Sequence, residues 1–252
     1  MILKDIIKII EKEYPKHLAS EWDNVGLLAG KETNEIKSVL VTLDITPKVV
    51  DEAVKMNADL ILSHHPLLFE GVKSFSEDNE KMNMYVKIIR NNISVYSAHT
   101  NMDTAPNGIN QRLAELFDFS DIEILEEKTG LGRIGNIKEI KLKDFCRIVK
   151  EKLNTPGLRV SGNPEGIIKR VAVGSGSCSD YIPLAISKSA DLMITADMKY
   201  HIAIDSVDNG ISVIDAGHYP TEIIVMDMFE ELLKDTGLNI KKSENKDIFS
   251  YV

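Results

Sequence analysis

Apolar and charged residues alternate at helical spacing from the first position, in MILKDIIKIIEKEYPKHL, so the chain is expected to begin with an amphipathic helix. Beyond it the pattern changes to short β-branched apolar runs separated by amphipathic stretches, and the runs recur. Sliding the sequence against itself by 132 positions lays residues 36–63, IKSVLVTLDITPKVVDEAVKMNADLILS, over 168–195, IKRVAVGSGSCSDYIPLAISKSADLMIT, without a gap. Ile36/Ile168, Lys37/Lys169, Val39/Val171, Val41/Val173, Ala53/Ala185 and Ala58-Asp59-Leu60/Ala190-Asp191-Leu192 match.

Each copy reads as strand, turn, amphipathic helix and second strand, a βαβ unit that implies parallel pairing. A third strand follows, with Asn92-Ile93-Ser94-Val95 echoed by Gly210-Ile211-Ser212-Val213 at an offset of 118. The first copy therefore carries about 14 extra residues near 66–80, PLLFEGVKSFSEDNE, expected as a loop. Helices near 107–117 and 221–234 and final strands near 121–125 and 238–242 complete the pattern. The predicted fold class is α/β: two similar α/β halves, 1–125 and 126–252, each a mixed or parallel sheet flanked by helices. They join around the turn-rich EEKTGLGRIG, with a metal site between them.

Composition narrows the function. With 43% hydrophobic residues the 252-residue chain can build a real core, and a net charge of −9 disfavours nucleic acid or an anionic membrane as a charge-driven partner. Two cysteines without CxxC spacing, Cys146 and Cys178, suggest neither a disulfide framework nor a thiolate zinc site. No apolar run approaches a membrane span, and the start lacks the pattern of a signal peptide. A cytoplasmic location is expected.

Five of the six histidines, all but His17, fall just past a predicted strand. In open α/β sheets ligands gather at the carboxyl ends of strands, so these positions are where chemistry is sought. Leu60-Ile61-Leu62-Ser63 runs into His64-His65-Pro66, where alternate side chains of an extended segment point to opposite sides and adjacent histidines can serve two ions. The third strands end in SAHTNMD and DAGHYPTE, both His-x3-acid: His99/Asp103 and His218/Glu222. Residues at i and i+4 share a helix face, which suits a metal or a hydrogen-bonded pair. Imidazole with carboxylate is the donor set of zinc, iron or manganese, and a carboxylate such as Glu222 can bridge two ions. Five groups of this kind gathered at strand ends favour a metal over isolated capping or core residues.

The strings SEWDNVGLLAG, ILSHHPLLF, SAHTNMDTAPNGIN, GLGRIG and DAGHYPTE, in this order over nearly the whole chain, resemble the NIF-three-like dinuclear-metal family, often labelled GTP cyclohydrolase I type 2 homologues. The resemblance implies two divalent ions per subunit, with His64 and His65 each binding one, Asp103 and His218 completing the shells and Glu222 bridging. It also implies a homo-oligomer, a hexameric ring whose sites face an internal cavity. Some members carry an extra domain between the halves, for which the stretch near 126–136 is too short.

Other residues are weaker candidates for catalysis. His99 could join the metal shell, orient a substrate or donate to Asp103; a place beside the ligands is favoured, because five ligands already satisfy two open sites. Asp197 and His201 in TADMKYH form a third i, i+4 pair, either an acid/base couple or a helix-terminal carboxylate with a solvated histidine. Trp22-Asp23-Asn24 and Asp44 are candidates to line the cleft, although a tryptophan in an apolar neighbourhood is usually core. GLGRIG matches GxGxxG, but no strand-then-helix context surrounds it, so a hairpin or hinge is expected. Gly174-Ser175-Gly176-Ser177 could cradle an anion, although a tight turn is the plainer reading.

Together these point to a dinuclear metal-dependent hydrolase acting on a small molecule or nucleotide. The resemblance narrows the reaction to GTP cyclohydrolase-type opening of a purine ring. The alternative is a metal-binding regulatory or scaffold ring protein without turnover.

Overall fold

Runs such as SVLVT and LILS become strands because residues apolar on both sides fill a pleat covered on both faces. The computed structural model describes residues 1–250. In chain order it forms α1 (Leu3–Glu13), β1 (Gly26–Ala29), β2 (Ser38–Thr42), α2 (Pro47–Lys55), β3 (Leu60–Ser63), α3 (Glu80–Arg90), β4 (Ser94–Ser97) and α4 (Thr100–Thr104). Next come α5 (Ile109–Leu116), β5 (Ser120–Glu126), β6 (Leu131–Lys141), α6 (Leu142–Lys152), β7 (Arg159–Ser161), β8 (Ile167–Val173), α7 (Ile182–Ser187) and β9 (Leu192–Thr195). The chain finishes with α8 (Tyr200–Asp208), β10 (Ser212–Asp215), α9 (His218–Glu222), α10 (Val225–Leu233) and β11 (Asn239–Lys242). No helix among the described residues is long and apolar enough to cross a membrane.

Two compact units result: Met1–Met102 with Ile224–Lys246, and Asp103–Ile223 with residues 247–250. The first holds a sheet ordered β1-β4-β3-β2-β11, the second a sheet ordered β5-β6-β8-β9-β10-β7. Local signals start the helices. In α1, Leu3, Ile6 and Ile10 are buried at i, i+3 and i+7. Thr46 precedes Pro47 and accepts from the Val49 amide at 3.3 Å, and Asn79 accepts from the Met82 amide at 3.1 Å, each satisfying a donor of the first helical turn.

The internal repeat holds at the level of single hydrogen bonds. Val39, Leu40 and Val41 of β2 lie opposite Leu60, Ile61 and Leu62 of β3, and Val171, Ala172 and Val173 of β8 lie opposite Leu192, Met193 and Ile194 of β9, both parallel. Leu60 faces Ser94 in the first sheet as Leu192 faces Ser212 in the second. Asp59 Oδ2 accepts from the Lys37 and Ser38 amides at 2.8 and 2.9 Å. Asp191 Oδ2 does the same for Lys169 and Arg170, at 2.8 Å each. The duplication also extends further back than the matched strings. Antiparallel β1 pairs Ala29 with Val95, and antiparallel β7 pairs Ser161 with Val213.

The strand at 239–242 forms where expected but in the other sheet. β11 runs parallel to β2 in the first unit. The corresponding edge of the second sheet, at β8, is taken by β6 of the antiparallel β5–β6 hairpin. The compact units and the sequence halves 1–125 and 126–252 are therefore different cuts of the chain. The extra residues near 66–80 form no helix or strand until α3 begins at Glu80.

Candidate metal centre

In the first unit the chemistry gathers at the carboxyl ends of parallel strands β2, β3 and β4. The ladder continues past the strands: the His64 amide donates to Thr42 O at 3.2 Å and the His65 amide to Leu43 O at 3.0 Å. Ser63 Oγ donates to His65 O at 2.8 Å and lies 2.7 Å from Ser97 Oγ, fixing the turn that carries both histidines. The His64, His65 and His99 rings lie with centroids 5.1 to 5.4 Å apart. One ring nitrogen of each falls within 4.8 Å of the others, so the three could hold a metal ion.

Each ring is oriented through Nδ1. His64 Nδ1 is 2.9 Å from Ala98 O, and because a carbonyl only accepts, Nδ1 carries a proton and donates it. His65 Nδ1 meets Asp44 Oδ1 at 2.7 Å, and His99 Nδ1 meets both Asp23 carboxylate oxygens at 3.0 Å. Asp23 also accepts from Thr100, through the amide at 3.0 Å and the hydroxyl at 2.5 Å. Its side chain is fully buried. Burial alone would raise this carboxyl, but the hydrogen bonds from His99 and Thr100, with the His99 charge, outweigh it and lower its pKa to about 2.

In the second unit the group forms around α9. His218 Nε2 lies 2.9 Å from Glu222 Oε2, one helical turn on, and its Nδ1 lies 2.6 Å from Asp197 Oδ2. Burial opposes the imidazolium, yet the Glu222 and Asp197 carboxylates prevail and raise His218 to about 9. Glu222 and Asp103 are 4% and 8% exposed, a depth that carboxylates seldom reach unless they are paired or coordinate a metal. Asn110 ties Asp103 to the 174–177 loop: its amide donates to Asp103 O at 3.0 Å and its oxygen accepts from the Ser175 amide at 2.8 Å. Gly176, with φ of +55°, lies against the carboxylate, where a Cβ would overlap Glu222 Oε1 and come within 3.1 Å of His218 Nε2. Cys178, buried behind this loop, has its thiol pushed up first by burial and then by the Asp103 and Glu222 charges.

Several expectations change with this geometry. His99 is held by Asp23 and not by Asp103, because α4 begins one residue after it, so the two do not share a helical turn as His218 and Glu222 do. Asp197 faces His218; no hydrogen bond joins it to His201 among the described residues. His201 lies exposed on α8 beside the Tyr200 ring, 5.8 Å away. The Gly174–Ser177 turn cannot act as an anion cradle through most of its amides. Those of Gly174, Ser175 and Gly176 already donate to Ile194 O, Asn110 Oδ1 and Thr221 Oγ1. GLGRIG is a hairpin strand, as its surroundings suggested. Its Arg133 is 2% exposed and donates to Gln111 Oε1 and to the carbonyls of Gly130, Gly132, Ala105 and Pro106. Asp44 and Asp23, expected only to line a cleft, emerge as the partners of His65 and His99. Their places at the end of β2 and beside the single tryptophan were the available signal.

The residues fit a transition-metal site. Imidazoles held through Nδ1 on a carboxylate or carbonyl, beside buried carboxylates, are the donor set and outer support that such ions take. The chain is similar to known proteins in sequence and in fold. The sequence profile of the family described as Duf34/NIF3 (NGG1p interacting factor 3) matches residues 1–248. A protein of Clostridium perfringens (strain 13 / Type A) named GTP cyclohydrolase 1 type 2 homolog is 35% identical, the alignment covering 100% of both chains. Among solved structures, a Bacillus cereus protein related to NIF3 superposes with a TM-score of 0.93 at 26% identity, covering 100% of this chain and 99% of that one. Reduced HcgD from Methanocaldococcus jannaschii superposes with a TM-score of 0.87 at 33% identity, covering 97% and 98%.

Proposed function

The chain belongs to the Duf34/NIF3 family, and from that premise we propose that it is a dinuclear metal-dependent hydrolase. His64, His65, Asp103, His218 and Glu222 are its ligands for two divalent ions, zinc, iron or manganese. The carrying observation is that His64, His65 and His218 each have Nδ1 anchored on an oxygen of the chain, the outer support that orients a ligating imidazole. When bound, such ions lower the pKa of water and polarise the bond under attack.

The chain's own residues supply the remaining roles. Asp44 and Asp197 hold His65 and His218 in one tautomer and orientation. Asp23 fixes His99 in the same way, so that its Nε2 can exchange a proton with substrate or leaving group. His201 is a more distant candidate for that exchange. The name carried by the curated relatives supports a nucleotide substrate and hydrolytic opening of the purine imidazole ring, with the carbon lost as formate. The family resemblance also leads us to assign a homo-oligomeric, hexameric assembly in the cytoplasm.

The test measures metal per chain and turnover of GTP and a nucleotide panel, in wild type and in Glu222→Ala. Wild type is expected to bind two ions and convert at least one nucleotide, and the variant to lose one or both ions with the activity. A metal-loaded protein that converts none of the panel would overturn the hydrolase and favour a regulatory or scaffold protein. Two ions retained by Glu222→Ala would overturn the bridging role.

A further inference from the structure

A large apolar side chain left in water is informative when the backbone beneath it is held firmly. Trp22, the chain's single tryptophan, is 66% exposed, and Phe69 is 55% exposed. Both stand edge-on to the same ring: Trp22 is 5.9 Å from His99 at 75°, and Phe69 is 5.8 Å from it at 79°, centroid to centroid. His99 in turn touches His64 and His65.

The segments that carry the two aromatics are pinned. Beside Trp22, Asp23 is locked onto His99 and Thr100, and the Ser20 amide donates to Thr100 Oγ1 at 2.9 Å. Asn24 Nδ2 donates to Leu68 O at 2.6 Å, which ties the Trp22 segment to the residue before Phe69. Folding has thus spent its polar contacts on holding two aromatic faces in solvent beside the histidine cluster.

Resting on the metal-site reading, we infer that Trp22 and Phe69 form a binding platform for the flat heterocycle of the substrate, placing a nucleobase-like ring beside His99. Aromatic faces bind bases by stacking, whichever base is offered, and need no cationic surface. That agrees with a chain whose net charge is −9. The ring, more than any phosphate, then supplies the affinity, and a phosphate-free nucleoside is sufficient for binding.

Trp22 makes the test direct, because all tryptophan emission comes from the platform. Full-length, metal-loaded protein is titrated with guanosine, adenosine and uridine, and with ribose 5-phosphate and inorganic triphosphate as probes lacking a ring. Nucleosides are expected to quench the emission saturably and the ring-less probes to leave it unchanged. Phe69→Ala is expected to weaken nucleoside binding roughly ten- to a hundredfold, with Phe69→Tyr restoring it. Trp22→Ala, followed by calorimetry, is expected to show a similar loss. The platform is overturned by three nucleosides that do not quench, by ring-less probes that quench equally, or by Phe69→Ala binding as wild type does. Metal content in the same samples separates the two readings: two bound ions without quenching removes the platform alone, whereas quenching without bound ions keeps the platform and removes the hydrolase.

Discussion

In the first sheet a carboxylate that follows β2, Asp44, holds a histidine that follows β3, His65; in the second, a carboxylate that follows β9, Asp197, holds the histidine that opens α9 after β10, His218. The shared register shows how the pair moved. Gly176 stands in the repeat where the first copy has Asp44, and Asp197 stands where it has His65. After the third strands, His218 and Glu222 take the places of Thr100 and Thr104, the two ends of α4. The backbone therefore provides a fixed set of strand-end positions, and donors are distributed over them differently in each copy. Emptying one position was part of the change: Gly176 has no side chain because Glu222 occupies that space.

The largest expected effect tests whether the two orienting carboxylates are equivalent. Asp44→Ala and Asp197→Ala should each weaken metal binding by roughly 10–100-fold, read by competition with a chromophoric chelator. Unchanged affinity in both would show that the histidines need no orienting partner, and a loss in one alone would show that the two copies do not share this device.

Next in size is a pH effect that separates a buried carboxylate–histidine pair from an exposed one. Asp23 holds His99 with no side-chain exposure, whereas Asp197 holds His218 at 49%. Because the folded Asp23 carboxyl titrates at about 2 against its ordinary 3.8, its contribution is complete above 3.8 and lost as pH falls through 2. The shift corresponds to roughly 2 kcal/mol. Urea unfolding of wild type and Asp23→Asn should differ by about that amount at pH 6 and converge as the pH falls towards 2. A gap that stays constant down to pH 3 would assign the effect to lost packing and not to the charge.

The smallest effect bears on what the copies retain in common. Asp59 and Asp191 each accept from two successive amides, at the start of β2 and within β8 respectively. Alanine at either should cost about 1–2 kcal/mol in chemical denaturation, and by similar amounts. A marked inequality would mean that the matched geometry conceals different local stability.

Much of this was legible along the chain. Residues apolar on both sides of a strand have nowhere to go but a doubly covered sheet, and the gap-free repeat carried the same pairing register into both copies. The histidines past those strands followed, since a strand's end determines where its next side chains emerge. Three features were decided only in three dimensions. β11 joined the first sheet, and the matching edge of the second is filled by β6. His99 found Asp23, 76 residues away in sequence, and not the Asp103 that its spacing suggested, because α4 starts one residue too late for them to share a turn. Asp197 turned to His218 across strand ends instead of to His201 along its own segment. Spacing in sequence can settle neighbours only within one helix or strand; which side chains meet across strand ends depends on how sheets are ordered and where helices begin, and that is settled when the whole core packs.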